Sequence, residues 1–134
     1  MQGGLNWVDE CVAIGNLVDA NNVELLRKEN VDLIIDVRTA FDLDFSEMRH
    51  TLICERAKKI AILLTALSNL KAKVLVHCLE GIDRTPFIVM LYFAQKNSMT
   101  FKDAYGFVKQ KRSSTRFHWE WVECYEDFLR DSKK

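Results

Sequence analysis

"KVLVHCLEGIDRTPFIVMLYF", residues 73–93, reads as a strand, a loop and a helix in direct succession. Lys73 to Cys78 is a short apolar run of the kind a strand shows when both its faces are buried. Thr85 to Lys96 is apolar nearly all round, which predicts a central helix lying against a sheet. Pro86 fits the first turn of that helix, where its missing N–H costs nothing. The intervening loop sits at the carboxyl end of a strand and the amino end of a helix, where open α/β sheets hold their ligands. There the loop amides of Leu79, Glu80, Gly81, Ile82 and Asp83 and the helix dipole converge on an anion. Gly81 permits the turn such a cradle needs, and the Arg84 guanidinium can grip two phosphate oxygens at once. Cys78 stands in the same cup. Helix N-termini and nearby cations favour a cysteine's thiolate, the form that acts as a nucleophile. Thr85 could hydrogen-bond the sulfur, while His77 orients the loop through a ring N–H and Glu80 faces solvent at the rim.

Outward from this stretch, the pattern alternates strands with helices. "CVAIGN" predicts a short strand turning at Gly15-Asn16, and Asp19 could cap a helix from Ala20 to Glu29, closed by Asn30 in the left-handed conformation. "VDLIIDV" (31–37) predicts a second strand buried on both faces. "AFDLDF" (40–45) alternates and suits a short strand or an extended loop. From Ser46 to Leu70 the apolar positions Ile53, Ala57, Ile60, Leu64 and Leu67 recur at three and four, the period of an amphipathic helix. Thr100 with Asp103 starts another helix, and Trp119 to Arg130 forms the last. The expected fold is α/β: a small, mostly parallel central sheet with helices on both faces.

Composition narrows the class. The 134 residues suit one domain, 1–134, and 49% hydrophobic residues with a single proline suit a packed core. Lys+Arg and Asp+Glu both number 19, so no global charge draws the chain to nucleic acid or membrane. The longest apolar run, Phe87 to Ala94, is too short to cross a bilayer, and "MQGGLNWVDE" lacks the pattern of a signal peptide. Cys11, Cys54, Cys78 and Cys124 form no CxxC pair, which predicts free thiols in a reducing cytoplasm. The scattered His50, His77 and His118 predict no metal site.

Cys78 alone would read as a small buried hydrophobe. His, Cys, Gly, Arg and Thr at these spacings arise by chance in fewer than roughly one window per million at ordinary residue usage, which reverses that reading. "HCLEGIDRT" (77–85) matches HCxxGxxR(S/T), the signature loop of the cysteine-dependent protein tyrosine phosphatases, at every fixed position. "VAIGNLVDANNVELLRKENVDLIIDV" resembles the opening strand, helix and strand of small dual-specificity phosphatases, and "KRSSTRFHWEWVECYEDFL" is similar to their closing loop and helix. The resemblance implies Cys78 as nucleophile, a phosphocysteine intermediate, Arg84 as transition-state clamp and no cofactor. It also implies a phosphorylated protein as substrate, phosphate or another oxyanion in the loop, and a monomer.

The general acid departs from the family pattern. Members supply it from a separate loop upstream of the cysteine, and here that zone is compressed to "AFDLDFSE". Asp44 is placed for the role with Asp42 behind it, but "DFSE" is also a capping box, with Asp44 as N-cap and Glu47 at N3. Asp83, directly before the arginine, offers a second source. Resembling lineages with "DR" there, among them myotubularin-like lipid phosphatases, assign that aspartate the acid role. Its other reading is a salt link. Asp83 is taken as the acid, Asp44 as the alternative. The family's water-positioning glutamine has no match, so His118 or Glu120 would have to substitute. The basic run Lys109, Lys111, Arg112, Arg116 reads as a solvated helix end, or else a second phosphate site. Trp119, Trp121 and Tyr125 read as packing residues of the last helix.

The expected activity is therefore a cysteine-dependent phosphomonoesterase acting on phosphotyrosine and on phosphoserine or phosphothreonine. The alternatives are a phosphatase of non-protein substrates (an RNA 5′-phosphate, a phosphoinositide) and a silent phosphate-binding module. "LEGID" carries none of the extra lysines that suit a polyanion.

Overall fold

A computed structural model of the chain describes residues 4–37, 50–78 and 84–132, for 50–53 the backbone only. Its sheet has four strands: β1 (Asn6–Trp7), β2 (Val12–Gly15), β3 (Leu33–Asp36) and β4 (Val74–His77), in the order β1-β2-β4-β3. β4 runs parallel to both β2 and β3, and β1 is antiparallel to β2. The mostly parallel α/β arrangement expected from the alternating pattern is the one observed.

Position in the sheet explains which strands are buried. β2 and β4 lie inside, and all their residues are buried. "VDLIIDV" was expected to be covered on both faces, yet Leu33 and Ile34 are 44% and 45% exposed. β3 is, with β1, one of the two edge strands among the described residues, so a continuous apolar run does not by itself place a strand at the centre. On the inner strands the period-2 alternation divides two layers. Val12, Ile14, Val74 and Val76 join the main core, while Ala13 and Leu75 are buried outside that cluster.

The helices are α1 (Leu17–Ala20), α2 (Val23–Lys28), α3 (His50–Asn69), α4 (Arg84–Asn97), α5 (Phe101–Lys111) and α6 (Glu120–Ser132) among the described residues. α1 and α2 replace the single helix expected from Ala20 to Glu29, and Asp19 is not its cap. Asn16 caps α1 in a capping box with Asp19, and Asn22 caps α2 by accepting from the Leu25 amide. Two asparagines with short accepting side chains break the run into two turns. Asn30 has φ +58, the left-handed position expected after α2. Gly15 lets α1 fold tightly onto the sheet: a Cβ there would meet Leu75 Cδ1 at 2.9 Å and Asp19 Oδ2 at 3.1 Å.

α3 presents Ala57, Ala61 and Leu64 to the core at the expected spacing, while residues 46–49 and "AFDLDF" lie outside the described residues. α4 is the central helix: Thr85 to Ala94 are all buried. Its far half is tied to the β1–β2 connection, because the Tyr92 hydroxyl donates to Asp9 Oδ2 (2.6 Å) and Lys96 Nζ donates to that hydroxyl (3.0 Å). α5 begins where expected, its Thr100 side chain accepting from the Asp103 amide. No helix of the described residues is long and apolar enough to cross a membrane.

The four cysteines are not all thiols. Cys54 on α3 and Cys124 on α6 form a disulfide with Cα atoms 5.9 Å apart. This corrects the expectation of free thiols for these two cysteines. The partners stand 70 positions apart and meet only through helix packing. Cys11 and Cys78 lie outside the bond.

Candidate active site

β4 ends at His77, Cys78 follows at once, and α4 opens on Arg84. Strand and helix thus deliver the cysteine and the arginine to the carboxyl edge of the two inner strands. His77 is held on both sides, in register with Gly15 of β2 and Asp36 of β3. Its carbonyl accepts from the Val37 amide at 2.9 Å. Its ring Nδ1 lies 3.2 Å from the Cys78 carbonyl oxygen. A carbonyl only accepts, so this contact places the ring proton on Nδ1. Cys78 is 4% exposed, and Arg84 is half-buried at the first position of α4. Thr85 is wholly buried, and its Oγ1 has no hydrogen-bond partner among the described residues. A buried hydroxyl left unmatched costs about 1–3 kcal/mol, so such a group invites a functional explanation.

Leu79, Glu80, Gly81, Ile82 and Asp83 lie outside the described residues, as do Asp42 and Asp44. His77 and Cys78 stand at the end of β4, and Arg84 and Thr85 open α4.

Lys109, Lys111 and Arg116 are exposed, as a solvated helix end requires, and Arg112 is the exception. Lys109 Nζ donates to the carbonyls of Ser113 and Thr115, both at 2.6 Å, tying down the chain after α5. Arg112, only 1% exposed, donates from Nη1 to Asn6 Oδ1 at 2.6 Å. Burial pulls its guanidinium below the ordinary arginine value, and the charges of Asp19 and Cys78 oppose that pull. A second cation thus lies within electrostatic reach of Cys78, one that the sequence reading had assigned to solvent. The reason is local: Arg112 leaves helical geometry at the end of α5, with φ −135 and ψ 94, and its side chain turns inward.

Aromatic rings close the other side. Trp121 on α6 stacks on Phe87 in the first turn of α4 (4.8 Å between centroids, 18° between planes), and His118 lies 4.5 Å from Trp121. Tyr125 is fully buried and donates to the Met99 carbonyl at 2.7 Å, a packing role as expected. Trp119 is 79% exposed and touches Phe117 edge-on, so it does not pack the last helix.

Comparison with known proteins bears on this arrangement. The family model "Dual specificity phosphatase, catalytic domain" matches residues 12–127. Dual specificity protein phosphatase 7 of Homo sapiens is 40% identical over 60 residues, which cover 45% of this chain and 14% of that protein. Protein-tyrosine-phosphatase IBR5 of Arabidopsis thaliana is 25% identical over 127 residues, covering 89% of this chain and 48% of that one. The chain therefore spans less than half the length of either relative. Among solved structures, human DUSP28 superposes with a TM-score of 0.81 at 15% identity, covering 100% of this chain and 98% of that one, a likeness of fold.

Proposed function

The chain belongs to the dual specificity phosphatase catalytic-domain family, and on that premise we propose that it hydrolyses phosphotyrosine and phosphoserine or phosphothreonine esters through a phosphocysteine on Cys78. One observation carries the reading: Cys78 directly follows the inner strand β4 and Arg84 opens the central helix α4, so thiol and guanidinium stand at the two ends of one strand-to-helix connection. The Cys78 sulfur attacks phosphorus, the P–O bond to the leaving group breaks, and water later displaces the sulfur. Arg84 spans two equatorial oxygens through both steps. The Thr85 hydroxyl makes no hydrogen bond to Cys78 or another described residue in the structure, and in this proposal it turns to donate to the sulfur as that departs. His77 holds the Cys78 carbonyl and thereby the start of the loop.

The leaving oxygen needs a proton, and a positioned acid is typically worth ~10²–10⁴ in rate. Asp83 supplies it in this proposal, with Asp44 as the alternative. Two substrates measured against Asp83→Asn, Asp44→Asn and Asp42→Asn, all in chelator, decide the matter. Phenyl phosphate has a poor leaving group and p-nitrophenyl phosphate a good one. Losing the acid slows the first far more than the second and removes the alkaline limb of kcat/KM against pH. A variant that slows both equally has lost a loop contact or a helix cap. That pattern for Asp83→Asn, with the selective pattern for Asp44→Asn, transfers the role to Asp44. Activity that disappears in chelator would overturn the cysteine mechanism as a whole.

A further inference from the structure

The Cys54–Cys124 bond lies near the end of the molecule that carries the signature loop. Cys11 marks the opposite end: its carbonyl accepts from the Val74 amide where β4 begins, and its thiol faces the Ser68 carbonyl near the end of α3. From Ser68 back to Cys54 the helix climbs about 21 Å at 1.5 Å per residue. From Val74 to Cys78 the strand covers about 13 Å. The disulfide therefore stands beside the first turns of α4 rather than at the base of the fold. It joins α3 to α6, which both pack on α4. Trp121, one turn before Cys124 on α6, stacks on Phe87, one turn after Arg84 on α4. A covalent bond, two helix turns and a ring stack thus connect Cys54 to the turn that holds Arg84.

We infer that the Cys54–Cys124 pair is a redox-controlled staple: bonded, it braces Trp121 against Phe87 and fixes the Arg84 turn; reduced, it releases that brace and lowers activity. This rests on the phosphatase reading above. Closure needs an oxidant: a small cyclic disulfide closes the pair by thiol–disulfide exchange and leaves as its dithiol, and a peroxide closes it through a sulfenic acid. With peroxide, one thiol is oxidised to a sulfenic acid with loss of one water, and the second thiol displaces hydroxide as another water to form the S–S bond. Opening needs a dithiol, which attacks one sulfur, forms a mixed disulfide and leaves as a cyclic disulfide, returning two protein thiols. Cys54 is half-buried, which leaves a route for either reagent, while Cys124 is buried. Cys11 cannot act as a disulfide partner for Cys78: it lies beside the start of β4, and the length of that strand, about 13 Å, already exceeds what one S–S bond spans.

The test equilibrates the wild-type protein in reduced and oxidised dithiothreitol at graded ratios. Differential alkylation and peptide mass report the Cys54–Cys124 bond and verify that Cys78 remains a thiol. Turnover of p-nitrophenyl phosphate and tryptophan fluorescence are read on the same samples. Opening the bond is expected to lower kcat about tenfold, since small displacements at a reacting centre are costly. Fluorescence should change along the same titration. Cys54→Ala and Cys124→Ala should each sit at the reduced level and ignore the buffer ratio. Unchanged kcat and fluorescence with the bond fully open, or failure of the bond to form at any ratio, would overturn the inference. Tungstate binding by Cys78→Ser across the same ratios separates the two readings. If binding follows the bond while no state of the wild type turns over, the staple stands and the phosphatase reading falls.

Discussion

Cys78→Ser is expected to abolish turnover while tungstate still binds. The hydroxyl is a far weaker nucleophile than a thiolate, and loss of a covalent nucleophile typically removes roughly 10⁴-fold or more of the rate. In the proposed site the oxyanion would be held by loop amides, the amino end of α4 and Arg84, which the exchange leaves in place, so binding should survive. Cys78 is buried at the end of an inner strand, so serine also places a slightly smaller polar group in a tight space. Thermal unfolding run beside the kinetics separates the two effects. A folded variant with intact tungstate binding and no turnover supports the nucleophile. Loss of fold and binding together would make Cys78 a core residue only.

Arg84→Lys is expected to be nearly as damaging as Arg84→Ala. A single ammonium cannot span two equatorial oxygens, and the charge that develops on them in the transition state is where such donors matter. The loss in kcat should be at least roughly a hundredfold. Tungstate affinity should fall as well, by less, because the α4 amino end and loop amides still contribute. The neighbourhood sharpens this experiment. Arg112 is a second cation close enough to feel the Cys78 charge, but it is buried and bonded to Asn6. If Arg84→Lys kept near-normal kcat, a point charge would suffice at position 84 and the bidentate argument would be wrong.

Much of this was legible in one line of sequence. The switch from a short apolar run to an all-apolar helical run, with HCxxGxxRT between them, gave β4, α4 and the placement of Cys78 and Arg84 at their junction. Local chemistry also read well where it stayed local: Thr100 caps α5, and Asn30 takes the left-handed conformation. What escaped was set by tertiary arrangement. The exposure of Leu33 and Ile34 goes with β3 lying at one edge of the described sheet, which no run of apolar residues can encode. The burial of Arg112 follows from a chain reversal after α5 that aims a long side chain at Asn6. Cys54 and Cys124 sit 70 positions apart, so their pairing needed α3 and α6 in place around α4. The split of the helix expected from Ala20 to Glu29 was the exception: Asn16 and Asn22 are both cap residues, and the signal was present in the sequence.

The phosphocysteine is the most direct test of all. Enzyme mixed with p-nitrophenyl phosphate should be quenched in acid within the first turnovers, digested, and its peptides weighed. The account predicts phosphate on the peptide that carries Cys78, chasing to free phosphate when quenching is delayed, and no such adduct in Cys78→Ser. Steady release of phosphate by the wild type with Cys78 never phosphorylated would contradict it.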